Sequence, residues 1–215
     1  MRKNLSSDEI DAVIAILNKF QTRSKEFSVS SCSLRDLYAL CSRYEQLVIQ
    51  KLCNIQTGGT DSEHAADQLL IPAADDYTKE FVRVQKTVFE AFEKMNLAMK
   101  QAVGQQLSIV SGYRSPAYQV LIFLRELYNA DFDIVQAERV AKLPSGSEHG
   151  YFPFHAIDVA VKQNGADKKE ISTDFDKSSA YSWMIINAGR FGFTLSYPQN
   201  NQKDTIYEPW HWLYA

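Results

Sequence analysis

The order of hydrophobic periodicities along the chain is the feature that most constrains its fold. Over residues 76–103, apolar residues recur at helical spacing and predict one long helix with an apolar stripe. Short apolar or alternating runs follow at 107–111, 156–161, 191–196 and 210–214, and they predict strands. Helices followed by short strands are typical of an α+β fold, which here has a small antiparallel sheet flanked by helices.

A helical region is predicted to precede the long helix and to span residues 1–60. One helix begins near Ser6, and a second follows Ser33 and continues to Leu52, because apolar residues recur every three or four positions in both segments. Residues 57–63 are polar and rich in turn formers, so they predict a linker. The chain is therefore predicted to carry an N-terminal helical extension before its α+β part.

Charge and hydropathy exclude some classes of function. The net charge is −3 and the isoelectric point is about 5.8, so the chain lacks the basic footprint of a nucleic-acid-binding protein. No run approaches the ~20 apolar residues that a membrane span requires. The N-terminal residues contain no apolar run long enough for a signal peptide. We expect no nucleic-acid partner and no membrane span, and the sequence gives no indication of the oligomeric state.

Three polar motifs carry the residues that suit metal-dependent hydrolysis. The first motif is Ser111–Gln119, the second runs from Ser147 to Asp158, and the third is Glu208–His211. A zinc hydrolase needs about three protein ligands and one open position for water. Such a ligand set is available in His149, Asp158 and His211. Because an unpaired buried carboxylate is costly, Asp158 inside an apolar strand favours a bound cation over an idle side chain.

Two charged residues in these motifs suit catalysis. Glu208 lies three residues before His211 and is placed to act as general base on a water at the metal. Arg114 lies in a predicted strand-to-helix turn, where its guanidinium suits a substrate carboxylate or a developing oxyanion. Each residue also has an ordinary alternative, since a loop histidine is commonly structural, Glu208 can be solvated and Arg114 can form a surface ion pair.

On these motifs the chain resembles the VanY-type D-alanyl-D-alanine carboxypeptidases, a branch of the LAS zinc peptidases. That branch shows S-G-[YF]-R-S-x-x-x-Q, then S-x-H-x-x-G-x-A-x-D, then E-x-W-H. The positions that match the first and last patterns are Ser111, Gly112, Tyr113, Arg114, Ser115, Gln119, Glu208, Trp210 and His211. The resemblance covers about residues 73–215, which we predict to form the peptidase domain.

The resemblance implies a set of roles for the motif residues. It implies zinc (Zn2+) held by His149, Asp158 and His211, with Glu208 as catalytic base. It implies that Arg114 stabilises the transition state or the substrate carboxylate. The residues expected to hold the peptide are Ser147, Gln119, Ser111 and Tyr113. The expected partners are peptidoglycan stem peptides, often ending in D-Ala-D-Ala, which places the protein in the cell envelope, the periplasm or the extracellular space.

The second motif departs from the pattern of the branch. The branch places its metal-binding histidine seven residues before the aspartate, whereas His149 precedes Asp158 by nine, and Phe154 stands where the glycine is expected. His155 is therefore a rival metal ligand. The S-x-H context of His149 and the A-x-D context of Asp158 favour His149. The inserted aromatic residues are expected to reshape the substrate pocket.

Three functions fit this sequence. The first is a zinc-dependent D,D-carboxypeptidase or dipeptidase acting on cell-wall peptides. The second is a peptidoglycan endopeptidase, as in phage endolysins of this branch. The third is a non-catalytic zinc-containing module that binds the cell wall, although a pure binding site needs no general base such as Glu208. The sequence leaves open whether the N-terminal helices pack on the peptidase domain, recognise the wall or mediate association.

Overall fold

The computed structural model describes residues 5–23, 32–55, 70–72, 82–150, 155–162 and 171–215. Within these ranges the chain forms seven α-helices and six strands. The helices are α1 (Ser7–Arg23), α2 (Leu34–Ala39), α3 (Arg43–Cys53), α4 (Lys86–Val103), α5 (Pro116–Asn129), α6 (Ile134–Val140) and α7 (Ser179–Asn187). The strands are β1 (Leu70–Pro72), β2 (Arg83–Gln85), β3 (Leu107–Ser111), β4 (Ala156–Val161), β5 (Phe193–Leu195) and β6 (His211–Tyr214).

The described residues fall into two compact units, each built from two chain segments. The helical unit takes its residues from Met1–Asp67 and Arg114–Gly150, and the sheet unit takes its residues from Gln68–Tyr113 and Tyr151–Ala215. The predicted α+β class with a small antiparallel sheet is confirmed. The linear division into 1–60 and 73–215 remains a prediction about domains, and the two compact units follow a different division.

The helical unit has one apolar core to which α1, α2, α3, α5 and α6 all contribute. Its fully buried side chains include Val13, Ile16, Leu37, Ile49, Val120, Phe123, Leu124 and Leu127. Ser115, the N-cap of α5, also donates a hydrogen bond from Oγ to the carbonyl of Cys32 at 2.7 Å. The N-terminal helices therefore pack on α5, the helix that begins within the first motif.

The prediction of one continuous second helix is wrong, because this segment forms two helices, α2 and α3. Ser42 caps α3 with a capping box, in which its Oγ accepts from the Glu45 amide while the Glu45 carboxylate accepts from the Ser42 amide. Ser33 and Asp36 form the same arrangement at the start of α2. A capping box starts a new helix. Hydrophobic periodicity alone does not predict the break between α2 and α3, because the helical spacing of the apolar residues continues across it.

The sheet unit contains a four-stranded antiparallel sheet in the order β3-β4-β6-β5. One face of this sheet packs against α4 and α7. The core between them includes Val88, Phe92, Met95, Met99, Ile109, Ile157, Val159, Met184, Phe193 and Trp212. The predicted strands are thus confirmed, although β5 is shorter than 191–196 because Ala188–Phe191 forms a 3-10 turn. That turn ends at Gly192, whose φ of 86° is accessible to glycine at little cost.

The helix predicted over 76–103 is confirmed from Lys86 to Val103, and the prediction is wrong at residues 83–85. Arg83–Gln85 forms β2 instead, which pairs antiparallel with β1. The Arg83 carbonyl accepts a hydrogen bond from the Tyr113 amide at 2.6 Å, so a long-range partner holds this segment extended. Val84 and Val88 have helical spacing, which explains the prediction. Residues 76–81 lie outside the described residues, as does the predicted linker at 57–63.

A buried asparagine connects α4 to β3. Asn96 of α4 is buried, and its amide exchanges hydrogen bonds with both backbone groups of Leu107, at 2.7 and 3.0 Å. These bonds fix α4 against the start of β3.

Among the described residues, none of the helices combines the length and the hydropathy needed to cross a bilayer.

Candidate metal centre

The centre of the site is a cross-strand pair, Asp158 on β4 and His211 on β6. The register places the two residues directly opposite each other, and Asp158 Oδ1 lies 2.9 Å from His211 Nδ1. Their side chains are only 3% and 5% exposed. Successive side chains of a strand point to opposite faces, so Asp158 lies on the face opposite to the core residues Ile157 and Val159. The sheet thus holds a carboxylate and an imidazole together on rigid backbone.

Glu208 is positioned by a turn that leads into β6. Its amide donates to the Tyr197 carbonyl at 3.1 Å, and its own carbonyl accepts from the His211 amide at 3.2 Å. The Trp212 indole donates to the Pro209 carbonyl at 3.0 Å and closes the turn. Glu208 Oε2 consequently lies 3.8 Å from His211 Nδ1, with the side chain 12% exposed. A carboxylate at this distance can accept a proton from a water beside His211.

An aromatic ring that the motifs do not include packs on the histidine. The ring centroid of Tyr197 lies 4.9 Å from that of His211, and Tyr197 is itself buried. Lys203 Nζ lies 5.0 Å from the centroid of the Tyr197 ring. Sequence reasoning missed Tyr197 because it precedes the third motif by eleven residues and no local pattern marks it.

His149 lies in a tight turn that begins at Ser147. The Gly150 amide donates to the Ser147 carbonyl at 3.1 Å, and the His149 amide donates to Ser147 Oγ at 3.4 Å. The His149 carbonyl accepts from the Arg114 amide at 2.9 Å, so the backbones of the first and second motifs are hydrogen-bonded here. His149 is buried, whereas Arg114 is half-buried.

Gln119 and Ser147, both predicted to hold the peptide, contact each other. Ser147 Oγ donates to Gln119 Oε1 at 3.2 Å, and Gln119 Nε2 donates to the Lys142 carbonyl at 2.7 Å. Both side chains are buried. These bonds tie α5 to the turn that carries His149. A direct role of Gln119 and Ser147 at the peptide remains a prediction.

Ser111 and Tyr113, also predicted to bind the peptide, lie where β3 ends. Ser111 is opposite Asp158 in the register, after an irregularity that follows Ile109. Both Ser111 and Tyr113 are half-buried. Between them, Gly112 leaves no room for a side chain, because a Cβ there would clash with the Arg83 carbonyl and lie 2.6 Å from Val84 Cγ1. The glycine of the first motif therefore permits the close approach of β2, while the roles of Ser111 and Tyr113 remain predictions.

The predicted ligand set offers donor atoms of the chemical kind that zinc uses. One ligand atom from each of His149, Asp158 and His211 lies within 4.8 Å of the others, and all three residues are buried. Two imidazoles and a carboxylate are a donor set that zinc uses, and tetrahedral coordination separates its ligand atoms by about 3.3 Å. The 2.9 Å between Asp158 and His211 is a hydrogen-bond distance, so a metal would replace that direct bond after a small separation of the two atoms.

His155, the rival ligand, is not part of this set. It is half-buried and precedes β4 directly, three residues before Asp158. An odd offset along an extended segment places two side chains on opposite faces, which disfavours a shared metal. Burial lowers the pKa of His155 below its ordinary value. The aromatic residues that were expected to reshape the pocket, Tyr151, Phe152 and Phe154, lie outside the described residues.

A family comparison agrees with these observations. The sequence model of the VanY family, described as D-alanyl-D-alanine carboxypeptidase, matches residues 82–215. The chain belongs to the VanY family. The match includes the whole of the first, second and third motifs and begins just before β2.

This VanY-family chain is similar to a curated protein and to solved structures. It is 30% identical over 209 residues to "Putative carboxypeptidase YodJ" of Bacillus subtilis (strain 168), covering 92% of this chain and 72% of that protein. The structure of the LdcB LD-carboxypeptidase is 30% identical with a TM-score of 0.57, covering 68% of this chain and 67% of that one. A variant of the vancomycin-resistance D,D-pentapeptidase VanY, in complex with Zn(II), is 25% identical with a TM-score of 0.50, covering 68% and 83%.

Proposed function

We propose that this protein is a zinc-dependent carboxypeptidase that removes the terminal D-alanine from peptidoglycan stem peptides ending in D-Ala-D-Ala. One observation carries the proposal: the buried Asp158–His211 pair lies beside the Glu208 carboxylate, which is 3.8 Å from His211 Nδ1. A metal-binding pair needs no carboxylate base at that distance, whereas a hydrolase does. With this substrate, the protein would act in the cell envelope or outside the cell.

In this proposal, His149, Asp158 and His211 hold the metal. The buried two-imidazole and one-carboxylate set supports zinc, as does the relative solved with Zn(II). A bound zinc ion lowers the pKa of a water to about 7 and polarises the scissile carbonyl. His155 is not a ligand in this assignment, because it lies three residues from Asp158 along an extended segment.

Glu208 acts as general base and then as general acid. Its carboxylate takes a proton from the attacking water and delivers it to the amine of the departing D-alanine. The Glu208 amide donates to the Tyr197 carbonyl and the Glu208 carbonyl accepts from the His211 amide, and these two bonds hold Glu208 for this transfer. Arg114 supplies a guanidinium for the substrate carboxylate or the developing oxyanion. Ser147, Gln119, Ser111 and Tyr113 hold or position the peptide.

The replacement of Glu208 by Gln tests the assignment. Glu208→Gln should retain zinc but lose about 10²- to 10⁴-fold in the rate of D-alanine release from a stem pentapeptide, because general-base catalysis contributes that much. Glu90→Gln is a suitable control, since its side chain is 55% exposed on α4. Activity near the wild-type level in Glu208→Gln would contradict the proposal, as would a wild-type protein that hydrolyses no muropeptide.

L,D-carboxypeptidase activity is the second candidate, favoured by the similarity to LdcB at 30% identity. The two activities differ in whether the residue before the terminal D-alanine is a D- or an L-amino acid. Incubation with matched pentapeptide and tetrapeptide stems, followed by mass spectrometry, identifies the bond that is cleaved. Digestion of whole peptidoglycan in the same assay would reveal an endopeptidase by the release of internal fragments.

A further inference from the structure

We infer that a hydrogen-bonded cluster of Tyr207, Asp176 and Tyr181 positions Glu208 for catalysis. None of these three residues belongs to the motifs, and the inference rests on the proposed role of Glu208 as base. All three residues belong to the sheet unit. They are positioning residues, because they act through Tyr207, which directly precedes the base.

Tyr207 immediately precedes Glu208 and makes the central contacts. Its hydroxyl lies 3.2 Å from Asp176 Oδ2 and 3.1 Å from the Tyr181 hydroxyl. An ionised carboxylate only accepts, so Tyr207 donates to Asp176 and accepts from Tyr181. Burial, the Tyr181 hydroxyl and the charge of Asp176 all raise the pKa of Tyr207. Tyr207 therefore keeps the proton that it donates to Asp176.

The cluster connects the residue before the third motif to a 3-10 helix and to α7. Asp176 lies in the 3-10 helix Thr173–Lys177, and Tyr181 lies on α7. The Tyr181 ring makes edge contacts with Phe175, at 5.8 Å between centroids, and with Trp212, at 6.4 Å. Because Trp212 also donates to the Pro209 carbonyl, the motif is held both before Glu208 and after His211.

This support matters because a general base depends on geometry. Glu208 Oε2 is 3.8 Å from His211 Nδ1, and its side chain is 12% exposed, so neighbouring side chains do not enclose it completely. Misplacement of a reacting group by about 1 Å can cost about 10²-fold in rate. Contacts at the backbone therefore add to the constraints on Glu208. Its own amide is held by the Tyr197 carbonyl, and the cluster holds the residue before it.

The first test compares steady-state kinetics of Tyr207→Phe and Asp176→Ala with those of Tyr128→Phe. The control also removes one tyrosine hydroxyl, but Tyr128 is 51% exposed and lies on α5. With a stem pentapeptide as substrate, both cluster variants should lose about 10- to 100-fold in kcat, with KM and zinc content unchanged. Asp176→Asn should recover activity to within a few-fold of wild type, because an amide oxygen still accepts from Tyr207.

The second test asks whether the cluster acts through Glu208. Tyr207→Phe should cause no further loss in a Glu208→Gln background, and the Tyr207→Phe, Asp176→Ala double variant should lose no more than the worse single variant. Wild-type kcat in Tyr207→Phe, or a loss of zinc that parallels the loss of activity, overturns the inference alone. A wild-type protein without hydrolytic activity overturns the proposed function, and the inferred role of the cluster with it.

Discussion

Asp158 Oδ1 lies 2.9 Å from His211 Nδ1, and the two residues face each other across β4 and β6. The antiparallel register, not a flexible loop, brings this pair together. A buried carboxylate and a buried imidazole each need a compensating partner, which is either the other residue or a cation between them. If the pair binds zinc as proposed, the stability of the folded state is expected to depend on the metal.

Removal of the metal should lower the thermal stability of the protein. A ligand that binds only the native state at 100 times its dissociation constant stabilises by about 2.7 kcal/mol, so chelation should lower Tm by several degrees. Scanning calorimetry with and without a chelator, followed by zinc addition, measures this effect. Asp158→Asn is the control that should show no response to chelator or zinc. Identical Tm values for wild type in all three conditions would refute metal-linked stability.

The identity of the second histidine ligand can be tested by metal analysis. His149→Ala should lose zinc, because His149 shares the compact set with Asp158 and His211. His155→Ala should retain zinc, because His155 precedes Asp158 by an odd number of residues along an extended segment. Elemental analysis of the purified variants gives the metal content directly. Zinc retained in His149→Ala but lost in His155→Ala would reverse the assignment.

The local sequence pattern was sufficient to predict that two residues of the site, Asp158 and His211, lie on strands. Asp158 interrupts one apolar run and His211 interrupts another, between Trp210 and Trp212, so each could be placed on a strand from the sequence alone. Their pairing agrees with the resemblance to zinc peptidases. The glycine of the first motif could be recognised, but not its structural reason, which is the close approach of Arg83 from β2. That contact joins segments far apart in sequence.

Long-range contacts account for the features that the sequence did not reveal. Val84 satisfies a helical pattern, yet Arg83–Gln85 is extended because β1 and Tyr113 bond to it. Tyr197 and Tyr207 gain their importance from His211 and from Asp176, respectively. No spacing rule encodes these partners. The break between α2 and α3 differs, because the Ser42–Glu45 capping box is local and was masked by the continuous apolar side.

Gly112 should tolerate no side chain. Gly112→Ala would place a Cβ against the Arg83 carbonyl and 2.6 Å from Val84 Cγ1, so β2 must move, at a cost of about 1–3 kcal/mol. Gly189→Ala is the matched control, because nothing lies within 4 Å of a Cβ at that position. The control should change the free energy of unfolding by less than about 0.5 kcal/mol. Denaturant unfolding of both variants measures the difference, and equal midpoints would contradict the close approach.

Acid should weaken the helical unit through Glu45. Lys19 Nζ contacts both carboxylate oxygens of Glu45, at 2.7 and 2.6 Å, and the Glu45 side chain is 8% exposed. Burial raises the pKa of Glu45, but the hydrogen bonds from Lys19 and Ser42 outweigh burial and bring the pKa below its ordinary value of 4.5. Since the folded pKa is the lower one, this stabilisation is complete above pH 4.5 and is lost as the pH falls through the folded pKa.

Lys19→Met isolates this contribution. The variant should be about 1 kcal/mol less stable than wild type at pH 7, a modest value because Lys19 is 39% exposed. The difference should shrink as the pH falls below 4.5, when the Glu45 carboxylate takes up a proton in wild type. Lys86→Met removes an exposed pair with Glu90 and should match wild type at every pH. Denaturant midpoints between pH 7 and pH 3 provide the measurement, and a constant difference across that range would exclude Glu45 as the titrating group.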